Sequence, residues 1–427
     1  MNGDLIPPLL AWIILISVLS VVASGKARFD LAAVSGIMAA GILGLASPSV
    51  LLSGFGNPAL FTIASILLLS EAIIESRLFS GLGHTLEKGL GTHSRQILGL
   101  SMATSMLSAL MNNIGALSLT LPTALRMSKR SGLDPGTYTM PLAYAAIIGG
   151  TITLVGSAPN IIVSTYRAQT QGVSFGMFDF APHGLVMVAT GLILWLVCGA
   201  CGFKPGKNEQ VPPLEITATP ISDQSPDEFP RDILSTRQKR ITLFTVILAL
   251  TLVSLDILTP PVAFGTAALI LLSTGVVKSE LAYRRVDFAL VVFLGCMLGL
   301  ARLMEEIGAI ALVTDRIMPS ISLFPPYLLV ATVFLISSIL GSILNNAASA
   351  AIMAPVAFEL SGIASVDALL MAVAAGACLS VSLPTHQATL MAMSRGWFSP
   401  ARFARSGLVI TLVMTLVGSA VIVLVWG

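Results

Sequence analysis

Two asparagine pairs, Asn112-Asn113 and Asn345-Asn346, each interrupt a long apolar stretch, residues 95–128 and 323–358. Each stretch has the length of two half-helices that enter and leave a membrane on the same side. Such re-entrant hairpins are tolerated where they are buried in protein or line a cavity. The tip of a hairpin exposes the N-terminus of its returning half-helix, where unpaired N–H groups and the helix dipole favour an anion. Two further segments break in their middles, GGTITLVGSAPN (Gly149 to Asn160) and SVSLPTHQAT (Ser380 to Thr389). Their carbonyls and the hydroxyls of Thr151, Thr153, Ser157, Ser380, Ser382 and Thr385 are neutral oxygens that suit a partly dehydrated cation such as Na⁺. His386 lies in the second break, where it can titrate, bind substrate or make a structural hydrogen bond.

The apolar spans carry no Asp or Glu near their centres; Asp256, Glu71 and Glu75 fall toward span ends. A cation held by neutral ligands keeps its charge, which is costly in a low dielectric unless an opposite charge joins it. The expectation is cation–anion symport. Proton pumps and carboxylate-based antiporters use buried acids as relays, and that pattern is missing from the sequence.

Several elements must position these groups. The chain has 427 residues, 55% apolar and 10% charged, with mean hydropathy +0.91. A soluble domain carries roughly 25% charged residues, so lipid is the solvent for most of this chain. Apolar runs predict spans near 5–24, 29–46, 58–76, 138–166, 181–203, 241–258, 261–277, 287–308, 367–394 and 406–426. Threading these with both hairpins re-entrant and the N-terminus outside puts all but Arg167, Arg302 and Arg316 of the 23 Lys and Arg on the cytoplasmic side. That is the positive-inside pattern, and converting one hairpin into a crossing destroys it. The first hairpin then opens to the cytoplasm and the second to the outside.

The predicted fold is an all-α polytopic membrane protein: two inverted repeats, about ten crossings and two re-entrant helical hairpins. Residues 1–203 form the first membrane repeat and 241–427 the second. Between them, 204–240 reads as a cytoplasmic linker, rich in Pro and mixed charge. SALMNNIGALSLTLPTA (108–124) is echoed by GSILNNAASAAIMAPVA (341–357), including Pro122 and Pro355. Paired, broken hydrophobic segments at corresponding places point to a transporter binding site.

Other features read more plainly. Cys198 and Cys201, spaced like a redox or metal pair, read as two small helix residues one turn apart. An Asn in a membrane helix often only hydrogen-bonds a neighbouring helix, but two pairs at matching places argue for a site. Arg302 with Glu305 and Glu306 reads as an interfacial ion cluster. A net charge of +2 from scattered basic residues gives no case for nucleic acid. A membrane-embedded enzyme needs a nucleophile–base or metal cluster, and His84, His93, His183 and His386 are too scattered to form one. A proton-coupled transporter or anion exchanger on the same fold stays open, with His386 titrating. No cofactor is expected.

NNIGALSLTLP followed by PLAYAAIIGGTITLVGSAPNIIV resembles the first-repeat signature of the divalent anion:sodium symporter (DASS) family of the ion transporter superfamily. The resemblance covers nearly the whole chain. LPTHQATLMAMSRGWFSPARFARSGL is most similar to the branch whose second break reads Pro-x-x-His-Gln, here without the TrkA-C-type domains that branch often carries. The resemblance implies an elevator-type homodimer that carries small divalent anions with sodium. The family's tips read Ser-Asn-Thr; here they are Asn112-Asn113-Ile114 and Asn345-Asn346-Ala347. Both third positions lack the hydroxyl, which sets sulfate slightly ahead of dicarboxylates. The implied substrate residues are these six with Thr385 and His386. The implied sodium residues are Ser108, Asn113, Gly150, Thr153, Gly156, Ser157 and Asn160 in the first half, and Ser342, Asn346, Ser382 and Thr385 in the second. The second break departs from the family's Pro-Pro-Asn, with Thr389 where the His-Gln branch usually has Asn. Expected partners are the anion, Na⁺, the bilayer of a bacterial plasma membrane and a second copy, with both termini outside.

Overall fold

A computed structural model describes residues 5–24, 27–76, 91–198, 234–277, 288–321, 323–393 and 398–427. Among these residues the chain is all α-helical. The first half forms α1 (Ile6–Ser24), α2 (Phe29–Ile42), α3 (Pro48–Leu51), α4 (Pro58–Ser76), α5 (His93–Leu110), α6 (Asn113–Ser131), α7 (Gly136–Gly149), α8 (Ala158–Gln171) and α9 (Ala181–Cys198). A 3₁₀ turn, Ser53–Gly56, leads into α4. The second half forms α10 (Thr236–Ser254), α11 (Pro260–Ser273), α12 (Phe288–Glu306), α13 (Ala309–Ile321), α14 (Pro326–Ile343), α15 (Asn346–Glu359), α16 (Val366–Cys378), α17 (Gln387–Met393) and α18 (Pro400–Trp426). Helices α4, α12, α14 and α18 are long and apolar enough to cross a membrane, and α1, α2, α9, α11 and α16 are shorter apolar helices.

Residues 199–233, which include most of the expected 204–240 linker, lie outside the described residues. The last residues of that linker do not: 236–240 are the first turn of α10. Ser235 accepts from Gln238 N–H while the Gln238 side chain returns to Ser235 N–H, a capping box that starts the helix earlier than the apolar run alone suggests. Helix α13 has no counterpart among the expected spans. Its Thr314, Asp315 and Arg316 mask an amphipathic helix whose Ala309, Ile310 and Thr314 are buried.

Packing sorts the helices into two groups. Helices α1–α4 and α10–α13 pack chiefly among themselves, as do α5–α9 and α14–α18. The groups meet where α4 lies against α6 and α8, and where α12 and α13 lie against α15. Within the second group, small residues let backbones close in, as membrane helices require. A Cβ on Gly149 of α7 would fall 2.4 Å from Ser105 O of α5, and one on Gly376 of α16 would fall 2.2 Å from Phe334 O of α14. Each half thus packs the first helix of its asparagine hairpin against the first helix of its broken span by the same device.

Candidate functional site

Helix α5 stops at Leu110 and α6 starts at Asn113, because Asn112 turns out of the helix and caps the returning one. The Asn112 Oδ1 accepts the N–H groups of Ile114 at 2.7 Å and Gly115 at 3.0 Å. The second hairpin repeats this between α14 and α15. The Asn345 Oδ1 accepts from Ala347 at 2.7 Å and Ala348 at 3.4 Å. The first asparagine of each pair is therefore an N-cap. This narrows what the half-helix ends present to an anion: the N–H groups of Ile114 and Ala347 already have partners. Proline sits at the tenth residue of each returning helix, Pro122 and Pro355. There it removes one helical hydrogen bond well past the tip.

The second asparagines reach across the molecule. Asn113 is 6% exposed, with its amide oxygen placed toward Ser108 Oγ at 2.8 Å and its nitrogen toward His386 Nε2 at 3.4 Å. Asn346 Nδ2 lies 3.4 Å from Ser157 Oγ, while its Oδ1 accepts Ala347 N–H at 2.9 Å. Ser157 immediately precedes α8 and His386 immediately precedes α17. The first hairpin thus meets the second broken span and the second hairpin meets the first. A third cross-contact, Cys378 Sγ to Asn160 Oδ1 at 3.3 Å, ties the two broken spans together.

All seven sodium candidates of the first half come together. Asn160, fully buried, donates to Gly150 O at 3.0 Å and Thr153 O at 2.7 Å, holding the loop in a tight curl. Thr153 donates to Ala109 O, fastening the curl to the end of α5. Ser108 also lies 2.6 Å from Ala146 O. A side chain at Gly150 or Gly156 would crowd the curl. A Cβ on Gly150 would stand 2.6 Å from the Asn113 amide and 3.1 Å from Gly156 O; one on Gly156 would stand 2.8 Å from Gly150 O and 3.0 Å from Ser108 O. Carbonyls of Ser108, Gly150 and Gly156 and the Asn113 side chain therefore crowd one small region. Such a set of neutral oxygens is the kind of lining that a partly dehydrated cation requires.

The second half assembles less of its set. Thr385 donates to Ser342 O, matching Thr153 and Ala109, since both acceptors lie three residues before the first asparagine. Ser382 turns away instead and pairs with Thr411 of α18 at 3.0 Å. Ser342, Ser380 and Thr389 bury hydroxyls with no partner among the described residues. Thr385 and Gln387 are exposed on either side of half-buried His386, so this loop opens onto free space.

The structure places further polar residues around the tips and between the helices. Ser70 of α4 accepts Asn112 N–H at 3.3 Å, and nothing in the sequence sets it apart from the other hydroxyls of that helix, Thr62, Ser65 and Ser76. Glu71 comes directly after that tip contact in α4. Gln387 opens α17 beside His386. Tyr166 donates to Glu305 at 2.6 Å beside the Arg302–Glu305 pair at 3.0 Å, so the expected ion cluster joins α8 to α12. Arg167 makes a two-armed bond to Asp367 of α16, both contacts 2.7 Å. Among the described residues no three His, Cys, Asp or Glu gather as metal ligands.

An all-helical body with apolar outer helices and broken helices meeting inside it is the architecture of a polytopic membrane transporter. The fold is shared with the crystal structure of the Alcanivorax borkumensis YdaH transporter, with TM-score 0.61 and 14% identity over 98% of both chains. The chain belongs to the citrate transporter family, CitMHS, whose profile matches residues 11–376. It is 29% identical over 200 residues to the uncharacterized transporter YfbS of Escherichia coli, covering 46% of this chain and 32% of that one. It is 31% identical over 152 residues to the probable sodium/sulfate cotransporter 3 of Chlamydomonas reinhardtii, covering 33% of this chain and 16% of that one. The match thus spans about a third or less of the length of these curated relatives.

Proposed function

We propose that this chain is a secondary active transporter that moves a small divalent anion together with sodium, sulfate ahead of dicarboxylates. The observation that carries the reading is the reciprocal contact of Asn113 with His386 and of Asn346 with Ser157. Asn113 stands between its half-helix end, the oxygens of the first broken span and His386 of the other half, and Asn346 stands between its half-helix end and Ser157 of the other half. An anion near the tips and a cation in the loop would share such an asparagine, which is the arrangement symport needs. Similarity to a relative named as a probable sodium/sulfate cotransporter supports sodium and sulfate. The family description, which names citrate, keeps organic anions in the panel.

In this reading the two hairpins are re-entrant, the halves are inverted repeats with about ten crossings, and both termini lie outside. The repeats are 1–203 and 241–427, the linker is cytoplasmic, and a homodimer sits in a bacterial plasma membrane. The group holding both hairpins is the moving part of an elevator. The other group, α1–α4 and α10–α13, is its scaffold. Sodium binds first, at Ser108, Asn113, Gly150, Thr153, Gly156, Ser157 and Asn160, with Ser342, Asn346 and Thr385 as the second set; Ser382, paired with Thr411, stands apart from it. The anion then bridges the tips at Asn112, Asn113, Ile114, Asn345, Asn346, Ala347, Thr385 and His386.

The test is uptake of radiolabelled sulfate, succinate and citrate into proteoliposomes with and without an inward sodium gradient. Sodium-driven uptake of at least one anion is expected, and Asn113→Ala and Asn346→Ala are each expected to reduce it to background with normal insertion. Uptake indifferent to sodium, or robust uptake by either variant, overturns the reading.

A further inference from the structure

With the Asn113 oxygen toward Ser108, the hydrogen bonds around Asn113 have more donors than acceptors. Ser108 has one hydroxyl proton and two neighbours, Ala146 O at 2.6 Å and the Asn113 amide at 2.8 Å. A backbone carbonyl can only accept, so the proton belongs to Ala146. The amide atom facing Ser108 must then be the donor, NH₂. The two ends of an Asn amide have the same shape, and the network decides which is which. The histidine agrees. His386 Nδ1 accepts Ala388 N–H at 3.1 Å, which leaves the ring proton on Nε2. Nε2–H points at Asn113 from 3.4 Å and needs an acceptor there. With Oδ1 toward His386 and NH₂ toward Ser108, the Ser108 hydroxyl, the amide N–H facing Ser108 and the His386 Nε2–H each meet a lone pair. The opposite orientation sets an N–H against an NH₂.

A cation among the oxygens of Ser108, Gly150 and Gly156 reverses this preference. It repels the NH₂ dipole and attracts Oδ1. We propose that cation binding flips the Asn113 amide, and that the flip takes the acceptor away from His386 Nε2–H, leaving Asn113 NH₂ and His386 N–H as a pair of donors for an oxyanion. His386 is then the residue through which the cation is felt by the anion. This inference rests on the symport reading and says how its two sites communicate. Coupling of this kind is reciprocal: the anion tightens the cation by the same factor.

The device belongs to one half. Asn346 Oδ1 is fixed by Ala347 N–H at 2.9 Å, so its amide has one orientation. The residue four before Asn345 is Gly341, where the first half has Ser108. No hydroxyl is available there to take part in a flip.

The experiment is sulfate binding to the purified full-length protein, without sodium and at saturating sodium, with sodium affinity measured in parallel. In the unaltered protein sodium is expected to tighten sulfate about tenfold or more. His386→Gln, whose amide nitrogen stands near Nε2, is expected to keep most of that factor. His386→Phe, which keeps a ring and loses the donor, is expected to bind sodium while its coupling factor falls below about twofold. Full coupling in His386→Phe, or none in His386→Gln, overturns the inference while leaving the symport reading intact. No sodium effect on sulfate, succinate or citrate in the unaltered protein overturns both.

Discussion

The two hairpin tips begin alike and end differently. In each, the first asparagine caps the returning helix, and a loop threonine is fastened to the carbonyl three residues before it. The second asparagines diverge. Asn113 faces a serine, a histidine and a curl of glycines, whereas Asn346 is held by its own helix and faces one serine. A shared backbone frame thus carries unequal chemistry. The first half holds its oxygens close together. The second leaves the hydroxyls of Ser342, Ser380 and Thr389 buried without partners among the described residues, and groups of that kind are stable only when something else satisfies them.

The sharpest way to break the comparison is at Gly150. A methyl group there meets the end of the Asn113 side chain at 2.6 Å and the backbone Gly156 O at 3.1 Å, so it displaces the site asparagine itself. Gly150→Ala is expected to abolish sodium-dependent uptake and to cost about 1–3 kcal/mol of stability from overpacking. Leu379, which comes after α16 as Gly150 comes after α7, shows that the second loop lacks this constraint. Uptake by Gly150→Ala at the native sodium dependence would remove the curl from the site.

A smaller effect separates the serines. Ser108→Ala removes a hydroxyl with two neighbours and is expected to weaken sodium about tenfold, near 1.4 kcal/mol. Ser342→Ala removes one with no partner among the described residues. If it serves a second cation, the sodium dependence of uptake is expected to lose its sigmoidal shape with little change in half-saturation. Identical sodium curves for the two variants would erase the distinction between the halves.

Much of this is legible in the sequence, and the part that is not has a physical reason. Asn pairs in apolar stretches mark helix breaks because their amides compete for the backbone hydrogen bonds of a continuous helix; Pro122 and Pro355 do not, since both lie within the returning helices. The glycines of GGTITLVGSAPN mark a tight curl for an equally local reason. What no local pattern carries is who meets whom. Asn113 and His386 are 273 residues apart, and Asn346 and Ser157 are 189 apart. Nor does the pattern foretell that Ser382, a hydroxyl in the right loop, turns to Thr411. Side-chain direction in a broken span comes from packing against α18, which the sequence does not display. Helix α13 is hidden because hydropathy finds helices that are apolar all round and passes over amphipathic ones.

The caps give a smaller and more structural test of the two tips. Asn112→Ala leaves the Ile114 and Gly115 N–H groups unpaired and is expected to cost about 1 kcal/mol. Asn345→Ala is expected to cost less, because Asn346 Oδ1 also accepts Ala347 N–H and the bond to Ala348 is long, 3.4 Å. Asn112→Ser keeps a capping oxygen and should restore most of the loss. Thermal unfolding in detergent reads all three. A stability-neutral Asn112→Ala that loses anion affinity would make Asn112 a ligand and not a cap.

The smallest effect is expected at Ser382, and it decides how far the halves correspond. The hydroxyl of Ser382 pairs with Thr411 Oγ1 at 3.0 Å on the neighbouring α18. Its loss should cost about 1 kcal/mol or less, the net worth of one neutral hydrogen bond. Ser382→Ala should therefore transport with unaltered sodium dependence and a slightly lower melting temperature. Thr385→Ala, further along the same loop and fastened to Ser342 O, should change both. If Ser382→Ala shifts the sodium dependence instead, its hydroxyl must leave Thr411 when the cation binds. The second loop would then be a site assembled on binding, in contrast to a first loop already built.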